Sequence, residues 1–220
     1  MLLVVGGHSR NIGKTSVAAG LIRALPQARW TAVKITQFGH GVCAAEGAAC
    51  DCTIDPAHPY ALTEETRPSR TDSGRFLAAG AARSWWLRTA GGELGHAMPA
   101  LRRILDTSAN AILESNRVLQ FLAPDLYVVV LDFAVADMKD STRLYFDRAD
   151  AFVLIDRGAE RPPWGGIPAR WLESKPQFRV TPQDYVHPDL IQLVAGRLGP
   201  SGQAAAGNTS RNRVPVSGSD

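Results

Sequence analysis

The chain has no stretch approaching the roughly 20 consecutive apolar residues that a membrane helix needs, and no block of like charges. Lys and Arg number 24 against 21 Asp and Glu, a formal charge of +3 spread over 220 residues. A nucleic-acid surface would show clustered Lys and Arg, so a solvated surface with slight basic excess is the plainer reading. Cysteine is scarce as well: Cys43, Cys50 and Cys52 are the only three, and they fall within ten positions. The opening Met1-Leu2-Leu3-Val4-Val5 lacks the basic leader of an export signal. With an odd cysteine count, that argues against a disulfide framework and for a reducing, cytoplasmic setting. The 45% hydrophobic and 20% charged content is ordinary for a globular protein. The length suits one well-buried domain better than two.

What is present alternates. Leu2-Leu3-Val4-Val5 is a short apolar run closed by glycines, the pattern of a buried parallel strand. Ser16 to Leu25 carries apolar residues at helical spacing and ends at Pro26. Thr31 to Thr36 reads as a second strand, which completes a βαβ unit. Gln37 to about Pro68 shows weak periodicity and holds all three cysteines; it reads as a functional or metal-ordered loop. Asp72-Ser73-Gly74 caps a short helix to Ala79, and 81–88 reads as a strand. Residues 93–105 read as a helix despite Pro99. Ala111 to Glu114, Leu126 to Asp132 and Ala151 to Ile155 read as strands, with short helices at 118–122 and 142–148. A last strand and helix are expected at 178–180 and 189–198. Alternation of this kind predicts an α/β fold, a mainly parallel sheet covered on both faces. One domain is expected over 1–198, interrupted by the Cys/His loop at 37–68, with a disordered tail over 199–220.

The segment Gly7-His8-Ser9-Arg10-Asn11-Ile12-Gly13-Lys14-Thr15 joins the first strand to the first helix. A loop in this place turns backbone N–H groups and a helix N-terminus toward an anion. Lys14 is expected on the β- and γ-phosphates of a nucleoside triphosphate, and Thr15 on Mg²⁺. Gly7, Ser9, Arg10, Asn11, Ile12, Gly13 and Ser16 complete the expected nucleotide-binding set. In the commoner spacing the first glycine would stand at position 8, which here is His8; Gly7 lies one place earlier.

Ligands of an open parallel sheet bind at the carboxyl ends of its strands. Glu114 and Asp132 both stand at such ends, where a carboxylate can hold Mg²⁺ or polarise an attacking group. Lys34, inside an apolar strand, either reaches phosphate or substrate or snorkels to the sheet end. Lys14, Lys34 and Glu114 are thus the candidate catalytic residues. Trp85, Trp86, Trp164 and Trp171 read as packing residues.

Three features resemble the accessory protein B family of molybdopterin-guanine dinucleotide biosynthesis, P-loop relatives of dethiobiotin synthetase. They are the loop itself, Val33-Lys34 followed by His40, and the stretch Thr71-Asp72-Ser73-Gly74-Arg75-Phe76-Leu77-Ala78-Ala79-Gly80-Ala81. Leu113-Glu114 falls where that family carries Val-Glu-Gly, although Ser115-Asn116 replaces the glycine. The family's His-Thr-His-His run and an Asn-Lys-x-Asp guanine motif are absent. The resemblance implies a three-layer P-loop NTPase fold and slow hydrolysis of GTP or ATP. It also implies service to molybdenum- or other metal-cofactor assembly with a partner protein, and possible dimerisation. Asp72 joins Thr15 and Glu114 at Mg²⁺ on this view, or is simply a helix cap.

Cys43, Cys50 and Cys52 with His58, or with His40 as the alternative fourth ligand, provide the Cys3His set that tetrahedral zinc prefers. An iron–sulfur cluster is the lesser alternative. Two other functions stay open on the sequence: an ATP-dependent ligase of the dethiobiotin synthetase type, and a non-enzymatic module that binds nucleotide and metal.

Overall fold

The computed structural model describes residues 1–38 and 59–199, without the side chain of Phe38. Among the described residues the strands are β1 (Leu2–Gly7), β2 (Thr31–Phe38), β3 (Tyr60–Glu64), β4 (Arg83–Ala90), β5 (Ala111–Glu114), β6 (Leu126–Asp132), β7 (Ala151–Ile155) and β8 (Gln177–Val180). They form one sheet in the order β3-β4-β2-β5-β1-β6-β7-β8. Every pairing is parallel except that of the edge strand β3 with β4. The helices are α1 (Lys14–Ala24), α2 (Asp72–Ala78), α3 (Leu94–Asp106), α4 (Asp140–Tyr145), α5 (Ala169–Glu173) and α6 (Pro188–Ala195).

The sheet has a core on each face. One packs Val17, Leu21 and Ile22 of α1, Phe76 of α2 and Leu190 and Val194 of α6 against Leu3, Val5, Val128 and Val130. The other packs Leu94, Met98 and Leu101 of α3 and Tyr145 of α4 against Val4, Leu113, Val129 and Leu131. Side chains alternate across a strand, so β1 sends neighbouring residues to opposite cores. That is why its sequence is apolar throughout. The fold is therefore the expected three-layer α/β arrangement, with β1 between β5 and β6 at its centre. Because the strands run parallel, Gly7, Glu114 and Asp132 all arrive at one edge of the sheet.

Several boundaries differ from the sequence reading. The helix expected from Ser16 begins at Lys14. The helix of Asp72 is capped by Thr71, whose hydroxyl accepts from the Gly74 N–H at 3.0 Å, not by Asp72 itself. The stretch 118–122 is a 3-10 turn over Arg117–Gln120. The expected helix at 142–148 divides into α4 and a 3-10 turn at Phe146–Arg148. Part of the expected 37–68 loop is strand β3, which has no hydrophobic alternation because it sits half-exposed at the edge. Helix α5 is five residues long and buries none of them, so it left no periodic signal. Pro99 stays inside α3 with its ring exposed, where the carbonyl it leaves unpaired can meet water. No helix of the described residues is long and apolar enough to cross a membrane. Cys43, Cys50, Cys52, His40 and His58 lie outside the described residues, as does the tail from 200.

Candidate functional site

The loop between β1 and α1 is built on two glycines that leave no room for a Cβ unless a neighbouring side chain shifts. A Cβ on Gly6 would stand 2.1 Å from Asn116 Oδ1, and one on Gly7 would stand 2.8 Å from the Lys14 side chain. Asn116, buried two residues past the end of β5, holds Gly7 at both polar groups. Its Oδ1 accepts from the Gly7 N–H at 2.9 Å, and its Nδ2 donates to the Gly7 carbonyl at 2.9 Å and to Thr142 Oγ1 at 2.7 Å. Beyond this clamp the chain turns through left-handed Asn11 (φ 53°) and Gly13 (φ 96°). Ile12, 1% exposed, pins the loop to the core. Helix α1 then starts with no capping side chain and no acid in its first turn. Its first N–H groups and its dipole are free to face an anion.

His8 occupies the place of the commoner first glycine, fully buried. Its Nε2 accepts from the Asp132 N–H at 3.0 Å, so Nδ1 carries the proton and donates to the Asp137 carbonyl at 2.7 Å. Burial, aided by Lys14, lowers its pKa despite those partners. A neutral ring packed on Trp164 at 4.5 Å thus ties the loop to the segment after β6.

Four other side chains meet at the start of α1. Thr15 Oγ1 donates to Glu114 Oε2 at 2.7 Å. Lys34 Nζ lies 2.6 Å from Glu114 Oε1, 2.7 Å from Asp72 Oδ2 and 3.4 Å from Thr15 Oγ1. Burial opposes the Lys34 charge, but Glu114 and then Asp72 outweigh it and raise its pKa. Burial likewise opposes the Asp72 charge, and Lys34 outweighs it and lowers its pKa. Lys34 therefore neither reaches free into the phosphate space nor snorkels outward; it bridges two carboxylates. Lys14 Nζ crosses the loop to donate to the Ser9 carbonyl at 2.5 Å. Burial and the neighbouring Lys139 charge take its pKa from 10.5 down to about 7.

Lys139 was not expected. Its N–H donates to the His8 carbonyl at 2.8 Å, and burial with the Arg10 and Lys34 charges takes its pKa down to about 8. A signal was there to read: lysine stands only at positions 14, 34, 139 and 175, and the first three meet here. Asn116 was visible only as a departure from a family pattern.

The remaining expected residues divide. Arg10 and Asn11 are exposed on the loop. Gly7 commits its N–H to Asn116, so its contribution is space for Lys14. Ser9 Oγ donates to Asp137 at 2.5 Å, and Ser16 Oγ accepts from Arg75 at 2.9 Å. Asp132 is fully buried beside His8, with Arg157 Nε at 3.0 Å from Oδ2 and the Ala134 N–H on Oδ1. It stands on the other side of β1 from Glu114 and braces the segment after β6. No group of His, Cys, Asp and Glu able to hold a metal by those side chains alone occurs among the described residues.

No family model matches the chain, and no curated protein matches it in sequence. Among solved structures it is similar to LpxK from Aquifex aeolicus, an "apo" form in complex with ATP. The likeness is 17% in identity over 81% of this chain and 53% of that one, with a TM-score of 0.45. The chain thus spans about half the length of that protein. The chemistry of the site rests on its own geometry.

Proposed function

We propose that the loop binds the β- and γ-phosphates of a nucleoside triphosphate with Mg²⁺, and that the protein is a slow NTP hydrolase. The observation that carries this reading is a surplus of partly buried lysines around an uncapped helix N-terminus. Lys14 and Lys139 are held to about 7 and about 8, and a polyphosphate is the partner that would restore their charge. Asp72 and Glu114 do not suffice, because both contact Lys34 and three lysines, Lys14, Lys34 and Lys139, face these two carboxylates.

The oxygen donors fit Mg²⁺. Thr15 gives its proton to Glu114, which leaves the hydroxyl lone pairs for a metal, and Asp72, 37% exposed at its side chain, can join directly or through water. The ion would supply charge neutralisation at the β- and γ-oxygens. Lys14 would hold the same oxygens, and the loop N–H groups would orient them. Glu114 has Thr15 on one oxygen and Lys34 on the other, so neither is open to take a proton. Asp72, tied to Lys34 through Oδ2, is a weak base. A site with no strong base turns over slowly, which favours hydrolysis of the accessory kind. An accessory role in metal-cofactor assembly draws support from Lys34 and Asp72. They belong to two separate features of the family resemblance and meet at 2.7 Å.

Calorimetry with ATP and GTP, with and without Mg²⁺, tests the reading. Lys14→Met should abolish triphosphate binding in a folded protein, and Lys139→Ala should weaken it by about tenfold. Unchanged affinity in Lys14→Met refutes the site. Slow phosphate release without added substrate supports the hydrolase. Release that depends strictly on a carboxylate substrate supports the ligase, and binding without turnover supports the regulatory module.

A further inference from the structure

The face of the sheet that carries Lys34 and Glu114 continues outward beyond the nucleotide loop. In register, Lys34 stands beside Trp86 and then Thr63, and Thr36 stands beside Arg88 and then Ala61. Helix α2 covers this face only as far as Ser84, whose hydroxyl donates to the Ser73 carbonyl at 2.7 Å. It begins at Asp72, so Trp86 and Arg88 lie past its N-terminal end, toward the carboxyl edge where ligands of such sheets bind. Both remain partly exposed.

The side chains there are arranged rather than loose. Trp86 Nε1 donates to Thr36 Oγ1 at 3.0 Å, which ties the indole to the neighbouring strand. The Arg88 guanidinium lies 4.7 Å from the centre of that ring, so it folds over the indole. Its Nε is buried and has no hydrogen-bond partner among the described residues. A buried guanidinium N–H without an acceptor is costly, and a stacked Arg offers its remaining donors in one plane to a carboxylate or phosphate. Two residues along a strand and one strand across place Arg88 about 8 Å from Lys34, close enough for one small molecule to span both positions.

We propose that Arg88, Trp86 and Thr36 form a second-ligand site for a small organic anion, its carboxylate or phosphate on Arg88 and its flat or apolar body against Trp86. The molecule would point its other end at the γ-phosphate position beside Lys34 and Asp72. This deepens the nucleotide reading of the adjoining loop and rests on it for that last orientation only. It identifies the chemical class of whatever the nucleotide is used upon.

The full chain, saturated with Mg²⁺ and a non-hydrolysable ATP analogue, is titrated with phenyl phosphate, benzoate and benzylamine. Calorimetry measures affinity, and the Trp indole N–H resonances report the location. The two anions should bind and shift the Trp86 resonance, and benzylamine should not. Arg88→Gln should weaken the anions by about tenfold or more, and Arg88→Lys by less, with analogue affinity kept within about twofold. Preference for phenyl phosphate over benzoate marks the natural anion as a phosphate, and the reverse marks a carboxylate. Trp86→Leu should remove the advantage of phenyl phosphate over inorganic phosphate. Equal anion affinity in Arg88→Gln and parent, or no anion binding at all, overturns the proposal. If the analogue itself fails to bind, the nucleotide reading falls. The same titration on Lys14→Met, which lacks the loop ammonium, then decides the Arg88 site alone.

Discussion

Replacing Lys14 by Met should stabilise the ligand-free protein at pH 6, although it destroys the proposed phosphate site. The folded chain holds this ammonium where burial and Lys139 take its pKa from 10.5 to about 7. At about 1.4 kcal/mol per pH unit, that drop corresponds to a penalty of about 4–5 kcal/mol as an upper bound. Losing the hydrogen bond to the Ser9 carbonyl offsets about 1.5–3 kcal/mol of the gain, which leaves the variant ahead by about 2 kcal/mol. The sign follows from proton counting. Between about 7 and 10.5 the unfolded chain keeps the proton that the folded chain has shed, so the parent becomes more stable as pH rises. The penalty is fully present below 7 and gone above 10.5. Met does not titrate. The lead of the variant should therefore shrink by about 1.4 kcal/mol for each pH unit above 7 and vanish at about pH 8.5. Urea unfolding at pH 6, 7, 8 and 9, with slopes checked for constancy, measures it. A difference that does not change with pH, or a variant less stable than parent at pH 6, would refute the reasoning. A residue that costs stability in the empty protein is what a site shaped for a ligand should contain.

Two further predictions concern other parts of the chain. Asn116→Ala strands the buried Gly7 N–H and the Tyr127 hydroxyl together, so the urea midpoint should fall by the equivalent of about 2–4 kcal/mol and triphosphate affinity should fall with it; a midpoint within error of the parent means Gly7 needs no clamp. Replacing Cys50 and Cys52 by Ser should lower the zinc found by elemental analysis without preventing nucleotide binding, and equal metal content in both chains removes the zinc proposal.

Much of this architecture was legible along the chain because its signals are local. Apolar runs such as Leu126–Leu131 are continuous because both faces of a central strand are covered. Glycines at 7 and 13 bracket the turn, and a lysine and a threonine open the helix. Edge strand β3 and helix α5 were missed for the complementary reason: neither buries a full face, so neither carries a period. Asp72 was read as a cap because an acid often stands there, but Thr71 one place earlier has the extended backbone a cap requires.

From its order of residues alone, the chain determined an α/β sheet and a glycine loop at the start of a helix, since each depends on neighbours a few positions apart. It also named Lys34, Asp72 and Glu114 as candidates without saying what joined them. Only the tertiary structure decided that Lys34 spans both carboxylates, that Asn116 holds Gly7, and that His8 is neutral between residues 132 and 137. It alone brought Lys139 beside Lys14 and laid Arg88 on Trp86. Parallel strands far apart in sequence deliver their ends to one edge of a sheet, and which charges face each other there depends on strand order and register. No window of consecutive residues contains that information.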